Sequence, residues 1–135
     1  MLLSRRTQGK YMDGTWQLIS GGLNEDETAW QGALRELREE TGLRAREFHR
    51  LSTLTQFYRS DNDSLNVAPM FWAIADEGAA VSIGAEHTAF EWGDVEAASA
   101  RLMWPSDRQA LEEVRAVVLG GGIAKEALQV DDATE

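Results

Sequence analysis

The stretch SGGLNEDETAWQGALRELREETGL, Ser20 to Leu43, constrains the fold and the chemistry of this chain more than any other. The paired glycines Gly21 and Gly22 follow a short extended segment and let the backbone turn or approach a ligand. After them, Ala29, Trp30, Ala33, Leu34 and Leu37 fall on one stripe of a helical wheel, and Glu36, Glu39 and Glu40 lie along and just beyond its edge. The pattern predicts a helix from about Glu27 to Thr41, capped by Asn24 or Asp26, with Gly42 placed for a left-handed C-terminal cap. Carboxylates three and four residues apart repel by roughly 0.2–0.5 kcal/mol per pair, so something must absorb the repulsion. Water with Arg35 and Arg38 can do so on a solvated face, and a divalent cation can do so where the acids wall a cleft. Small Ala29 and Ala33 beside the acids would let another backbone segment come close, which suits a cleft.

Composition narrows the choice of cation. The 135 residues, 43% hydrophobic and 27% charged, suit one globular domain. With no cysteine, thiolate zinc sites, disulfides and cysteine nucleophiles are excluded together, and a metal must be held by oxygen or by the two histidines. Hard cations are favoured. A net charge of -10 opposes a nucleic acid duplex as partner. A small phosphorylated ligand would need a bridging cation and arginines, and eleven of the thirteen basic residues are arginine. No apolar run nears the roughly 18 residues of a membrane span, and MLLSRRTQGK is too short and polar for a secretory signal, so a cytoplasmic address without membrane contact is expected.

Along the chain, MLLSRR, TWQLIS, REFHRLSTLTQFY, NVAPMFWAIA and TAFEW read as extended, with the polar turn RSDNDS joining two of them as paired strands. DVEAASARL and PSDRQALEEVRAVVL read as helices, the second with Pro105 and Ser106 as start signals and Gly120 to Gly122 as its stop. One domain over 1–119 is expected, followed by a glycine-led acidic tail over 120–135, loosely held.

The spacing Gly21, five residues, Glu27, seven residues, RELREETGL resembles the signature of the Nudix hydrolases at all nine specified positions. These are Gly21, Glu27, Arg35, Glu36, Leu37, Glu39, Glu40, Gly42 and Leu43. GTWQLISGG looks like the approach to that box. EHTAFEW, the helix after it and WPSDRQALEEV are similar to the C-terminal part of the pyrophosphohydrolases of this family that act on dihydroneopterin triphosphate or dATP.

The resemblance implies an α/β fold, an α/β/α sandwich with a mixed sheet, and two or three magnesium or manganese ions. It makes Glu36, Glu39 and Glu40 the metal carboxylates, adds the backbone carbonyl of Ser20 and the side chain of Glu86, and pairs Glu27 with Arg35 as a supporting ion pair. A nucleotide or pterin triphosphate would be cut to a monophosphate and pyrophosphate. Glu36 and Glu86 are both candidates for the base, with Glu36 or Glu40 expected to be indispensable. Related enzymes place phosphate contacts near Arg5, Arg6 and Lys10, although exposed basic residues at a strand edge need no such role. Trp16, Tyr58, Trp72 and Trp104 could stack on a base or pterin, Tyr58 and Trp16 foremost, against the alternative that they are core. His87 could touch phosphate, and Ser106 reads as a helix cap that could double as a substrate contact.

Two departures matter. Family members carry a further strand ahead of MLLSRR, so the first strand is missing or truncated, or another segment fills its place; an open edge there could be paired across a homodimer. Ser20 stands where many relatives have proline. Among the alternatives, ADP-ribose hydrolases of the family carry a proline where this chain has Tyr58, and the isopentenyl diphosphate isomerases need a cysteine. A Nudix-like nucleotide-binding regulatory domain without turnover would have no need of three mutually repelling glutamates.

Overall fold

The structure, a computed structural model, describes residues 2–6, 15–83 and 87–131, with 2–6, 87 and 88 described by backbone alone. In chain order the elements are β1 (Leu2–Arg6), β2 (Trp16–Gln17), α1 (Ala29–Thr41), β3 (Glu47–Arg59), β4 (Ser64–Ile74), β5 (His87–Trp92), α2 (Val95–Arg101), α3 (Pro105–Glu113) and α4 (Ile123–Leu128). Helix α3 runs on as a π-helical turn over Val114–Val118, closed by Leu119 N–H donating to the Val114 carbonyl at 2.9 Å.

The long antiparallel hairpin β3–β4 carries the centre of the molecule. Residues paired across it share a face, and successive residues alternate between faces. On one face α1 lays Trp30, Ala33, Leu34 and Leu37 over Phe48, Phe71 and Ala73. The Phe48 and Phe71 rings stack there at 5.1 Å. On the other face Ala110 of α3 and Val114 and Val118 of the π turn cover Leu51, Met70 and Trp72. Helix, sheet and helix therefore form the expected layers. Truncating a fully buried side chain such as Leu111 or Val114 would cost about 2–5 kcal/mol.

A second sheet has the order β2-β1-β5, antiparallel throughout. Strand β1 lies between the other two, so the open edge expected beside MLLSRR is closed on both sides. Among the described residues all three ladders are antiparallel, and the parallel contact is an isolated bridge between Trp16 and Leu102.

Local chemistry moves the start of α1 and reassigns the cap of α3. Helix α1 begins at Ala29, two residues after the expected start, because Thr28 is the cap: its hydroxyl accepts from Gln31 N–H while the Gln31 side chain accepts from Thr28 N–H. Asn24 and Asp26 belong instead to the preceding turn, Asp26 at φ 64°. Ser106 is not a cap: Trp104 holds that position, Pro105 follows it, and Ser106 lies inside the first turn of α3.

Residues 123–131, expected as part of a loosely held tail, are instead tied to the hairpin. Gly121 and Gly122, at φ 74° and 86°, turn the chain back onto the edge of β3. There Val130 N–H donates to the Phe48 carbonyl at 2.9 Å, Arg50 donates to the Ala127 carbonyl and Lys125 pairs with Glu47 at 3.0 Å.

The register of the hairpin shifts between Arg50 and Leu54, leaving Ser52 and Thr53 out of the ladder. The Glu113 carboxylate takes their place as acceptor, receiving Ser52 N–H and Oγ–H at 2.6 Å and Thr53 N–H at 2.8 Å. Partial burial alone would raise the Glu113 carboxyl, but these bonds outweigh it and hold it below its ordinary value of 4.5. Glu47 is held low by Lys125 and His49. A carboxylate held low when folded contributes stability above its unfolded value and loses it as the pH falls through the folded one. Glu113→Ala is expected to cost about 1–2 kcal/mol at neutral pH. The difference from the unaltered chain should shrink as the pH drops below 4.5, as measured by urea unfolding at each pH.

Candidate active site

Arg35 organises the edge of α1. Its Nε and Nη2 donate to the two oxygens of Glu27 at 2.9 and 3.0 Å, a bidentate pair. Nη2 also donates to the Gly22 carbonyl at 2.8 Å, and Nη1 to Glu36 Oε1 at 2.7 Å and Glu39 Oε2 at 3.1 Å. The guanidinium and the Asn24 N–H hold the Glu27 carboxyl below its ordinary range, and Glu27 with Glu36 raises the basicity of Arg35 in return. One arginine thus ties the glycine loop to the helix and absorbs part of the repulsion among the acids.

Two glycines let the loop lie this close. A Cβ on Gly21 would overlap the Glu36 carboxylate, whereas on Gly22 it would meet no described atom within 4 Å. Inside α1, a Cβ on Gly32 would stand 2.5 Å from Leu23 Cδ2 and 3.0 Å from Glu27 Oε2. The part played by Gly32 was not read from the sequence. Its signal is a glycine in a helix interior, which is about 1 kcal/mol less favourable than alanine and so needs a packing reason.

The donor chemistry fits a hard divalent cation. Arg35 takes one oxygen each from Glu36 and Glu39, so a second oxygen on each lies outside its grip, and Glu40 Oε2 is shielded from solvent at the inner edge of the helix. The bare glycine backbone at Gly21 stands directly against the Glu36 carboxylate, whose atoms occupy the place a Cβ would take. Among the described residues no three carboxylate or imidazole groups converge as a ready ligand set.

Glu86 and Lys10 lie outside the described residues. Arg5 and Arg6 lie in β1, paired by backbone with Trp16 and Ala89 (Arg5) and with His87 (Arg6). Ser20 is exposed just ahead of Gly21. Trp16 packs against Ala98, Leu102 and Leu111, with the Arg101 guanidinium 4.9 Å over its ring. Tyr58 lies near the tip of the hairpin, about ten residues along β3 from the Phe48 that α1 covers, which is roughly 30 Å of strand. Its hydroxyl donates to Asp63 at 2.8 Å. Trp72 is half-buried under α3, Trp104 is exposed, and Ser106 is partly covered. The structure therefore gathers Gly21, Gly22, Glu27, Arg35, Glu36 and Glu39 into one cluster, bordered by Glu40, and leaves Tyr58 apart from it.

Residues 1–114 match the NUDIX domain family. An octanoyltransferase of Myxococcus xanthus is 34% identical over 125 residues, covering 86% of this chain and 32% of that protein, so the chain spans about a third of its relative's length. The dihydroneopterin triphosphate diphosphatase of Escherichia coli K12 is 30% identical over 126 residues, covering 84% of this chain and 80% of the enzyme. A solved structure of the E. coli dihydroneopterin triphosphate pyrophosphohydrolase superposes with a TM-score of 0.68 at 25% identity, over 89% of this chain and 86% of that one.

Gly21→Ala is expected to push the flexible Glu36 carboxylate aside with little loss of stability, and to weaken Mn2+ binding about tenfold. Gly22→Ala should leave affinity unchanged. Titration of free Mn2+ by electron paramagnetic resonance measures both, and equal affinities would remove Gly21 from the site.

Proposed function

Because the chain belongs to the Nudix domain family, we propose that it is a divalent-cation-dependent pyrophosphohydrolase that cleaves a nucleoside or pterin triphosphate to a monophosphate and pyrophosphate in the cytoplasm. The observation that carries this reading is the Arg35 cluster, which joins the Gly22 carbonyl, Glu27, Glu36 and Glu39 on the edge of a helix packed firmly on the hairpin. The likeness to a dihydroneopterin triphosphate diphosphatase over most of both chains supports a triphosphate as substrate.

Glu36, Glu39 and Glu40 would hold magnesium or manganese, with Glu86 and the Ser20 carbonyl completing the set. Such ions supply charge neutralisation for the phosphates and acidify water. The remaining work falls to the chain. We assign the base to one of two glutamates, Glu36 in the cluster or Glu86, which would accept the proton of the attacking water at a carboxylate oxygen. Arg35 acts as a positioning residue: its bidentate hold on Glu27 and its bond to Gly22 fix the loop against the helix, so the carboxylates keep their places as charge moves. Arg5, Arg6 and Lys10 are proposed to meet phosphate oxygens and Ser106 to make a polar contact with the substrate, whereas Trp16, packed on Leu102 and Leu111 beneath Arg101, serves the core.

Incubation with nucleoside triphosphates, dihydroneopterin triphosphate, dinucleoside polyphosphates and ADP-ribose tests the reading. Pyrophosphate should appear with magnesium and vanish with a chelator. Glu40→Gln is expected to lower turnover by about 10²–10⁴-fold while circular dichroism and the melting midpoint stay near those of the unaltered chain. Tight binding of every compound without any product would favour a non-catalytic nucleotide-binding domain instead.

A further inference from the structure

The face of the hairpin that α1 covers does not end where α1 ends. Through the pairings Phe48 with Ala73 and Arg50 with Phe71, and beyond the bulge Leu54 with Pro69, Gln56 with Val67 and Tyr58 with Leu65, one face runs from the core to the hairpin tip. Its inner part lies under Trp30, Ala33 and Leu37. Its outer part is in water: Val67 is 56% exposed, Tyr58 62% and Leu65 68%, with Leu54 and Pro69 exposed beside them. The other face of the same outer segment carries Thr55, Arg59, Ser64 and Asn66, with Phe57 as its large apolar side chain. One side of the outer hairpin is thus built for water and the other for burial. An isolated two-stranded hairpin is marginal in water, and apolar side chains paired in this way call for a covering layer.

We propose that the outer stripe is a self-association surface, covered by the same stripe of a second copy of this chain across a twofold axis. Charge argues for a copy rather than against it. Two chains of net charge -10 repel over most of their surfaces, yet Leu54, Gln56, Tyr58, Leu65, Val67 and Pro69 include no charged group. The cation nearest the tip, Arg59, is already paired with Asp61. A twofold contact here apposes the uncharged side chains of the stripe, with Asp63, bonded to the Tyr58 hydroxyl, as the carboxylate beside it. Area argues the same way. The exposed stripe amounts to roughly 500 Å² per copy, so a face-to-face pair buries about 1,000 Å², the lower bound for a specific interface. A concentration-dependent dimer follows.

Sedimentation equilibrium over a wide concentration range tests the proposal on the full chain. The unaltered protein should pass from the mass of one chain to that of two. The double variant Leu65→Glu with Val67→Glu, which places a charge at the centre of the stripe, should stay at the mass of one chain at every concentration, with an unchanged circular dichroism melt. Phe57→Glu makes the same kind of change on the opposite face and should dimerise as before. A single-chain mass for the unaltered protein throughout would overturn the proposal and leave the stripe to a partner of different sequence. Dimers that form equally well in the Leu65/Val67 variant, or that Phe57→Glu disrupts as strongly, would place any interface elsewhere and overturn it too.

Discussion

The fan of hydrogen bonds from Arg35 is the interaction on which the rest of the site depends. A helix edge with three carboxylates on adjacent turns is electrostatically unfavourable by itself, and a glycine-rich loop has little intrinsic order. Arg35 answers both. Its planar fork grips Glu27 on the loop side in two parallel bonds, reaches the Gly22 carbonyl, and still offers Nη1 to Glu36 and Glu39. A lysine has the charge without the fork and could not span these partners at once. Glycine at position 21 is the steric half of the same arrangement, since the loop can come this close to Glu36 only where no side chain intervenes.

What the sequence could reveal followed the range of each interaction. The Glu27–Arg35 pair came from the family resemblance, while the helix, its apolar stripe and the acidic edge depend on spacings of eight residues or fewer and were legible. So were both hairpin strands and the helices that begin at Val95 and Pro105. The start of α1 was misplaced although its signal was present, because Thr28 and Gln31 form a reciprocal cap that outcompetes the acids ahead of it. The π-helical turn, the clamp of Glu113 on Ser52 and Thr53, and the return of residues 123–130 to β3 were not legible. The clamp and the return join segments about sixty to eighty residues apart, and no local pattern fixes which distant backbone group will lie within reach. Trp16 shows the same limit from the other side: composition marks it as a flat ring, and only packing shows that ring against Leu102 and Leu111 beneath Arg101.

Rigidity is divided unevenly, and the division suits the chemistry. Helix α1 is capped at both ends, with Gly42 N–H closing on the Arg38 carbonyl at 2.8 Å and Thr41 buried, and its apolar face is fixed on the stacked pair Phe48 and Phe71. The carboxylates therefore project from a firm base. The loop that faces them, from Ser20 to Asp26, is exposed throughout and is held chiefly through Arg35 and Glu27. A firm helix opposite a loop secured at a few polar points can admit a charged ligand without disturbing the core, because the groups that must adjust lie outside every apolar cluster.

The outer hairpin extends this logic to assembly. Its apolar stripe is continuous with the surface on which α1 rests, so whatever covers the stripe lies alongside the helix that carries the glutamates. The bulge at Ser52 and Thr53 is the point where the covered and uncovered parts of the hairpin meet, and Glu113 holds that point from the opposite layer. The hairpin thus meets the helix α3 through a charged, directional contact and α1 through an apolar one. A second copy bound at the stripe would stiffen the same two strands that support α1, coupling association to the order of the site without any residue of the partner having to enter it.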